Sequence, residues 1–300
     1  MSFRLLSEPM LSRSPIDRAE ELRRDDAALA AGWPTARLLR VDSQGRVPVE
    51  DGRVALVPAV DTADSPPEDA VFLGVVDDHH VWAVSVSALA GEVTDLRSFG
   101  DVLTESSAGL VVTAVALLNW HRSAAFSARD GSPTVLSSAG WSRTSTLTGH
   151  EEWPRSDPAI IVLVHDGADR VLLARQPMWP ERRMSVLAGF VEAGESLETC
   201  VSREVGEEVG LDVSDITYLG SQPWPFPRSV MIGFAARANA SQPLSFNDGE
   251  IAEARWFTRD EVRTALAAGD WSASEDAPLL LPGSISIARA MVESWAALES

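Results

Sequence analysis

Three glutamates, Glu204, Glu207 and Glu208, lie close together in the second half of the chain. On a helix, side chains three and four positions apart share a face, so this spacing places the carboxylates side by side. Like charges at that spacing destabilise a helix, and Gly206 between them costs about another 1 kcal/mol relative to alanine. A hard divalent cation bound through oxygen ligands would offset the repulsion. We therefore predict a metal site here, with a solvated acidic face as the alternative.

A helix over about residues 196–209 must position these glutamates. Ser196 is suited to the N-cap, and Gly210 is suited to the position just after the helix ends. An apolar face is expected from the residues that recur every four positions, Leu197, Val201 and Val205.

The residues around the glutamates occur in a fixed order. They are Gly189, Glu195, Arg203, Glu204, Val205, Glu207, Glu208, Gly210 and Leu211. All nine positions match the signature of the Nudix hydrolases, and the stretch closely resembles it. The resemblance implies a loop–helix–loop on an α/β/α sandwich, Mg²⁺ or Mn²⁺ as cofactor, and hydrolysis of a nucleoside diphosphate linked to another moiety.

The resemblance also implies roles for individual residues. The expected catalytic residues are Glu204, Glu207 and Glu208. The expected metal ligands are Ala188 (through its backbone carbonyl), Glu204, Glu208 and Glu250. Glu207 would support the metal ligands Glu204 and Glu208 or bridge between them. Glu253 is the alternative to Glu250 as a ligand. Arg203 is expected to orient a glutamate rather than to contact substrate. The identity of the general base stays open.

A proline-rich segment follows the signature at residues 221–229, with the sequence Ser-Gln-Pro-Trp-Pro-Phe-Pro-Arg-Ser. Alternating prolines fix φ and exclude a helix, so Trp224 and Phe226 are held in a stiff extended segment. A planar aromatic ligand would stack there, with Gln222 and Ser229 hydrogen-bonded to its polar edges. A rigid turn with buried aromatics is the alternative.

All eight defined positions of this segment are similar to the array of the NADH pyrophosphatase (NudC-type) subfamily. This resemblance implies hydrolysis of NADH or NAD⁺ to NMN(H) and AMP, and removal of NAD caps from RNA 5′ ends. The residues expected to bind substrate are Trp153, Phe190, Gln222, Pro223, Trp224, Pro225, Phe226, Pro227, Arg228, Ser229 and Ala288. Two alternatives stay open: a hydrolase of ADP-ribose or another nucleoside diphosphate derivative, and a catalytically silent nucleotide-binding Nudix protein.

Length and composition predict two folded domains. The chain has 300 residues, of which 45% are hydrophobic and 23% are charged, which is ordinary globular composition. Strands and helices interleave without a strict βαβ repeat, so we expect an α+β protein with a C-terminal Nudix α/β/α sandwich and a smaller mixed α/β N-terminal domain. The expected boundaries are 1–125, a connector at 126–155, and a catalytic domain at 156–300.

Hydrophobic patterning places the elements of these domains. Strands are predicted at 54–57, 70–76, 81–86, 159–164, 171–174, 216–219, 230–236 and 254–257. Besides the acidic helix, helices are predicted at 110–121 and 284–298.

The connector departs from the pattern of many relatives, which carry a four-cysteine zinc ribbon there. The corresponding positions hold Ser127, Asp130, Ser145 and Thr148. Hydroxyls are poor zinc ligands and a single carboxylate does not hold the ion, so no structural zinc is expected. An apolar cluster of Phe126 and Trp141 is predicted to hold the connector instead.

Charge and segment composition limit the partners. The net charge of −19 excludes a general nucleic-acid-coating role. The resemblance implies a dinucleotide, NADH or NAD⁺, as the partner, with NAD-capped RNA as a second one. The apolar run at 108–118 is about half of a membrane span, and the N-terminus lacks the apolar core of a secretory signal. The single cysteine, Cys200, excludes an internal disulfide framework. We expect a cytoplasmic protein without a membrane partner, and the resemblance implies a homodimer.

Overall fold

The computed structural model describes residues 3–51, 53–98, 104–246, 249–272 and 277–299. The chain forms two compact units. The C-terminal unit contains Met1–Ser12, Asp157–Pro223 and Ser229–Ser300, and the N-terminal unit contains Arg13–Ser156 and Trp224–Arg228. No helix in the described ranges is long and apolar enough to cross a bilayer.

The N-terminal unit combines a four-stranded sheet, smaller sheets and helices. Its strands are β1 (Arg37–Asp42), β2 (Val47–Glu50), β3 (Arg53–Val54), β4 (Val57–Pro58), β5 (Val71–Val76), β6 (His79–Val86), β7 (Val93–Thr94), β8 (Thr134–Ser137), β9 (Ser142–Ser145) and β10 (Glu151–Glu152). Its α-helices are α1 (Asp26–Gly32) and α2 (Glu105–Ser123). The main sheet has the order β4-β1-β6-β5, and β8, β9 and β10 form a separate sheet across the connector.

Aromatic side chains pack among aliphatic ones in the core of this unit. The rings of Trp33 and Trp82 meet edge to face with centroids 5.5 Å apart, and Phe72 lies 5.2 Å from Trp82. Phe72 lies on β5 and Trp82 lies on β6, and both side chains are buried. The strands predicted at 70–76 and 81–86 are therefore confirmed. The single strand predicted at 54–57 is wrong, since β3 and β4 are separate and belong to different sheets.

The predicted apolar cluster in the connector is also wrong. Phe126 is 66% exposed. The Trp141 indole instead donates a hydrogen bond to the carbonyl of Phe72 at 2.7 Å, and the guanidinium of Arg23 lies 3.6 Å from its ring centroid.

A hydrogen-bonded network around Asp130 joins the ends of β8 and β9. The Asp130 carboxylate accepts hydrogen bonds from the hydroxyls of Ser132 at 2.6 Å, Ser145 at 2.8 Å and Thr148 at 2.5 Å. Asp130, Ser145 and Thr148 are three of the four positions that correspond to zinc-ribbon cysteines. The fourth, Ser127, donates to Glu152 at 2.6 Å. A carboxylate with hydroxyl donors therefore cross-links this hairpin.

The C-terminal unit is built on a six-stranded sheet. Its strands are β11 (Asp157–His165), β12 (Arg170–Arg175), β13 (Leu187–Phe190), β14 (Val213–Trp224), β15 (Ser229–Ala238) and β16 (Glu253–Thr258), and its α-helices are α3 (Leu197–Val209), α4 (Arg259–Ala268) and α5 (Ile287–Ala296). The strand order is β14-β15-β11-β12-β16, with β13 paired to β11. Strand β11 runs parallel to β15 and antiparallel to β12 and β13.

Strand β11 contributes to two separate cores. Ile161 and Leu163 belong to a cluster with residues of α4 and α5, whereas Ile160 and Val162 belong to a cluster with residues of α3. This alternation follows from the two-residue period of a strand, which sends successive side chains to opposite faces of the sheet. The α/β/α sandwich predicted for this half of the chain is confirmed.

The first residues of the chain pack on this sandwich. Phe3 is 7% exposed and belongs to the core on the α5 side of the sheet. The backbone N–H of Leu6 donates to the Ser294 hydroxyl at 3.0 Å, and the Ser12 hydroxyl donates to the carbonyl of Ser221 at 2.6 Å. This segment therefore connects α5 with β14.

The network around Asp130 predicts a pH-dependent contribution to stability. Its hydroxyl and backbone donors hold the pKa of the Asp130 carboxyl well below its usual range. A carboxyl whose pKa falls on folding stabilises the fold above its unfolded pKa of about 3.9, and this contribution is lost as the pH falls below that value. We expect Asp130→Asn to lower the melting temperature at pH 7, and the deficit to shrink progressively below about pH 4.

Calorimetry across this pH range measures the effect, and amide hydrogen exchange in β8 and β9 locates it. Asp64→Asn, which makes the same charge change at an exposed bend of the same unit, is the control. An equal deficit in both variants, or one that does not depend on pH, would contradict the assignment.

Candidate active site

Helix α3 is the predicted acidic helix, and its ends are fixed as expected. The Ser196 hydroxyl accepts a hydrogen bond from the backbone N–H of Thr199 at 3.2 Å, which caps the first turn. Gly210 adopts a left-handed conformation with φ of 72° directly after the helix. A Cβ atom on Gly210 would also lie 2.1 Å from the Ser245 hydroxyl, so both conformation and space favour glycine there.

Packing of α3 divides the three glutamates. Val201 and Val205 are fully buried against the sheet. Glu204 and Glu208, which flank this apolar face, are only 9% and 2% exposed, whereas the Glu207 side chain is 55% exposed. Two carboxylates are therefore held at the boundary of the core, and the third faces solvent.

Gly189 on β13 provides the space that the Glu204 carboxylate occupies. A Cβ atom on Gly189 would lie 1.9 Å from the carboxyl carbon of Glu204, and 2.0 and 2.2 Å from its two oxygens. Any side chain at position 189 would displace that carboxylate. This contact explains why a glycine fifteen residues before Glu204 belongs to the same motif.

Arg203 holds three carboxylates together. Its Nε and one terminal nitrogen each donate to Glu195 at 2.9 Å, which makes a two-pronged ion pair. The other terminal nitrogen donates to Glu204 at 2.9 Å and to Glu207 at 3.0 Å. Arg203 also donates to the backbone carbonyl of Phe190 at 3.0 Å. It therefore contacts three glutamates and the end of β13. The prediction that it orients a glutamate rather than contacting substrate stays a prediction.

These contacts set the protonation of the acidic groups. Hydrogen bonds from Arg203 lower the pKa of Glu195 to about 2, and the same carboxylates raise the pKa of Arg203. Burial raises the pKa of Glu204, and repulsion from Glu207 and Glu250 adds to that effect against the opposing influence of Arg203. The ionised form of Glu204 is thus disfavoured, mainly by burial, although it has a cationic partner.

The residue types and charges fit a hard divalent cation. Carboxylate oxygens are the ligands that Mg²⁺ and Mn²⁺ prefer, and a cation would relieve the repulsion among Glu204, Glu207 and Glu250. In the described parts of the chain, no group of three or more His, Cys, Asp or Glu side chains is already arranged around a metal position. Arg203 takes oxygens of Glu204 and Glu207 here, so binding a cation requires these side chains to redistribute their contacts.

The remaining predicted ligands lie on different elements. Ala188 is on β13, where it pairs with Ile161 of β11. Glu250 lies in a bend before β16 rather than on the strand, and it acts electrostatically on Glu204. Glu253, the alternative, is on β16 and forms an ion pair with Arg175 at 3.5 Å. The role of Glu250 as a metal ligand, with Glu253 as the alternative, stays a prediction.

Several predicted substrate residues of the C-terminal unit are buried. Gln222 is fully buried, and its side-chain nitrogen donates to the carbonyl of Ile285 at 3.0 Å. Ser229 and Ala288 are 9% and 1% exposed, whereas Phe190 is 60% exposed and Pro223 is half-buried. In the structure Gln222 links β14 to the segment before α5. Substrate roles for these five residues stay predictions.

The middle of the proline-rich segment, Trp224–Arg228, belongs to the N-terminal unit. The Trp224 and Phe226 rings meet edge to face with centroids 4.9 Å apart, and the guanidinium of Arg97 lies 4.3 Å from the Phe226 centroid. Pro225 is buried, whereas Pro227 and Arg228 are exposed. Trp153, also of this unit, is 51% exposed. Substrate contacts stay predictions for the six residues of this unit that were expected to make them: Trp153, Trp224, Pro225, Phe226, Pro227 and Arg228.

Sequence reasoning missed one residue that contacts this segment. The side-chain nitrogen of Asn119 on α2 donates to the carbonyls of Pro225 and Pro227, both at 3.0 Å. The sequence signal for it is an amide side chain inside the apolar run at 110–121. The hydrophobic pattern predicts a helix for this run but no partner for the amide.

Comparison with known proteins agrees with this architecture. Residues 155–277 match the NUDIX domain family, and residues 19–120 match the NADH pyrophosphatase-like rudimentary NUDIX domain family. The chain is 60% identical over its full length to the NAD-capped RNA hydrolase NudC of Mycobacterium bovis (strain BCG / Pasteur 1173P2) and of Mycobacterium tuberculosis (strain ATCC 25618 / H37Rv), covering 98% of each. It is 41% identical over 252 residues to mouse mitochondrial NAD(P)H pyrophosphatase NUDT13, a match that covers 76% of this chain and 71% of the mouse protein.

These similarities extend over both units of the chain, and the nine-residue signature lies on α3 and its flanking loops. The chain therefore belongs to the Nudix hydrolase family, and within it to the NADH pyrophosphatase (NudC-type) subfamily.

Proposed function

We propose that this chain hydrolyses the pyrophosphate bond of NADH and NAD⁺ to NMN(H) and AMP, and that it removes NAD caps from RNA 5′ ends. One observation carries the proposal. The acidic signature on α3 and the complete segment at 221–229 occur together in a chain that matches NAD-capped RNA hydrolases over its whole length.

The chemistry requires help against charge repulsion. In the reaction, a water oxygen bonds to one phosphorus, and the bridging oxygen leaves with the other phosphate. A bound divalent cation, Mg²⁺ or Mn²⁺, would neutralise phosphate charge and lower the pKa of a coordinated water. Glu204, Glu208 and Glu250 would hold it through carboxylate oxygens, with the backbone carbonyl of Ala188 as a further ligand.

The chain's own contacts define what each glutamate does. Glu204 lies between Gly189 and Arg203, which together define the position of its carboxylate. Arg203 keeps Glu195 ionised and anchors itself on that residue, which leaves one terminal nitrogen for the glutamates of the site. Glu207 is the exposed member of the three and pairs with the same terminal nitrogen of Arg203 as Glu204 does.

Two alternatives make different predictions. A hydrolase of ADP-ribose or another nucleoside diphosphate derivative has no use for the proline-rich array, which is complete here. A silent nucleotide sensor has no need for a buried carboxylate that is repelled by acidic neighbours, as Glu204 is by Glu207 and Glu250. In Mg²⁺, a sensor would bind NADH and release it unchanged.

We further propose a homodimer that works in the cytoplasm, which the resemblance to the subfamily supports. Sedimentation of the full chain at several concentrations measures the oligomeric state. A monomer at micromolar concentration would exclude the dimer.

The decisive experiment is product analysis. The full chain is incubated with NADH, NAD⁺ or ADP-ribose in Mg²⁺ or Mn²⁺, with EDTA as a control, and the products are separated by chromatography. AMP and the mononucleotide are expected from NADH or NAD⁺, and capped RNA is tested next. Turnover of ADP-ribose alone would favour the first alternative, and binding without turnover would favour the second.

The glutamates of α3 should carry the chemistry. We expect Glu204→Gln and Glu208→Gln each to lower kcat by about 10²-fold or more, the usual scale for losing an acid–base or charge-stabilising group. Steady-state kinetics at saturating NADH measure the loss. Glu198→Gln, an exposed substitution in the first turn of the same helix, should retain wild-type turnover. Wild-type kcat in either test variant would refute the role of that glutamate.

Metal binding should be visible without turnover. A ligand at a hundredfold its Kd stabilises the folded state by about 2.7 kcal/mol, so Mn²⁺ should raise the melting temperature of the wild type. Glu204→Gln should lose most of this response. In EDTA at pH 7 it should melt at or above the wild type, because a carboxyl whose pKa is raised on folding destabilises the fold once it ionises.

Thermal melting with and without Mn²⁺ measures both effects, with Glu198→Gln again as the control. An unchanged Mn²⁺ response in Glu204→Gln would show that this residue is not a ligand.

A further inference from the structure

The proline-rich segment has few ways to hold itself in place. Pro225 and Pro227 have no backbone N–H, so they cannot join a strand ladder as donors. The N–H of Phe226 donates to the carbonyl of Trp224 at 2.7 Å, within the segment itself. Between Pro225 and Pro227 no backbone N–H is therefore available for attachment to the rest of the N-terminal unit, whereas the two proline carbonyls are.

Asn119 supplies that attachment through its side-chain amide. Its Nδ2 group carries two hydrogens and donates one to the carbonyl of Pro225 and one to the carbonyl of Pro227, both at 3.0 Å. These two carbonyls flank Phe226, so the backbone is fixed on both sides of that ring. One side chain thus restrains the whole turn of the segment.

The orientation of the amide is chemically determined. Two carbonyl oxygens require a donor group, so the nitrogen must face the segment and the oxygen must face away. Arg122, one turn further along α2, donates to the Asn119 oxygen. Every polar atom of the Asn119 amide is therefore used, which is the pattern of a residue that holds a fixed geometry.

The held segment presents an ordered aromatic pair. Trp224 and Phe226 lie edge to face at an interplanar angle of 74°. The Arg97 guanidinium lies over the Phe226 ring, a cation–π contact that restrains the ring from another element. Backbone and ring are thus fixed independently within the N-terminal unit.

We propose that Asn119 is a positioning residue for substrate recognition: by holding the carbonyls of Pro225 and Pro227, it fixes Trp224 and Phe226 in the arrangement that binds the dinucleotide. This inference rests on the proposed function. It also assigns a function to the N-terminal unit, because Asn119 on helix α2 of that unit holds the segment Trp224–Arg228.

Asn119→Asp separates positioning from simple packing. Aspartate has nearly the same size and helix propensity, and it keeps an acceptor for Arg122. It offers no donor to the two proline carbonyls when ionised, and its charge repels them. We expect KM for NADH to rise about tenfold or more, with kcat at saturation within about threefold of the wild type, because the lost contact serves binding rather than the chemical step.

A second measurement does not depend on activity. Amide exchange of peptides that contain Trp224–Arg228 should accelerate in Asn119→Asp, because the backbone of the segment is released. Asn239→Asp is the matched control: the Asn239 side-chain oxygen accepts from the N–H of Ser241 at 2.9 Å, a role that aspartate retains. The control should leave both KM and exchange unchanged.

The outcomes are distinguishable. A raised KM together with faster exchange in Asn119→Asp supports the proposal, and unchanged KM or unchanged exchange overturns it. If the aspartate variant fails to fold, Asn119→Ala removes the same hydrogen bonds with the residue that best favours a helix, and the same criteria apply. A wild type that turns over neither NADH nor NAD⁺ would overturn the proposed function and the recognition role with it, while exchange would still decide whether Asn119 holds the segment.

Discussion

The contact between Arg203 and its three carboxylates is the interaction on which the site depends. Without a positively charged side chain among them, Glu195, Glu204 and Glu207 would repel one another. A lysine could not replace Arg203, because it could not bind Glu195 with two parallel hydrogen bonds while reaching Glu204 and Glu207. Because Arg203 is anchored on Glu195, the loop before α3 and the helix itself keep a fixed relation. Gly189 and the α3 caps then determine where the Glu204 carboxylate lies.

The same arrangement leaves the negative charge of Glu204 incompletely compensated. Arg203 satisfies Glu195 fully, yet Glu204 still has a raised pKa because burial and its acidic neighbours outweigh the one shared hydrogen bond. A protein that used Arg203 only for stability would gain more from replacing Glu204 with a neutral residue. Retained repulsion of this kind is typical of sites that bind a cation during function.

The sequence predicts the C-terminal half well because its strands and helices have regular apolar patterns and clear caps. Helix α3 and strands β11, β12 and β15 were located within a few residues. Helix α4 was missed although Thr258 and Glu261 form a complete capping box, because its apolar face is short. Strand β1 was missed because Arg37 and Arg40 interrupt its apolar run.

Contacts between distant parts of the chain were less accessible. The connector was expected to close around apolar rings, but its serines and threonines bind Asp130, and no local pattern shows which carboxylate a hydroxyl will reach. The pairing of Asn119 with two prolines more than a hundred residues away is similar. Periodicity identifies the face of an element, but it does not identify the partner of a single polar group.

The packing of Phe3 against α5 limits the order in which this chain folds during synthesis. The core that contains Phe3 also contains Met291 and Trp295, which are synthesised long after Phe3. Domains generally fold as units during synthesis, and the N-terminal unit is complete in sequence, apart from Trp224–Arg228, long before the sandwich is. Phe3 therefore cannot reach its final packing until α5 has been synthesised, so folding of the sandwich joins segments that are far apart in the sequence.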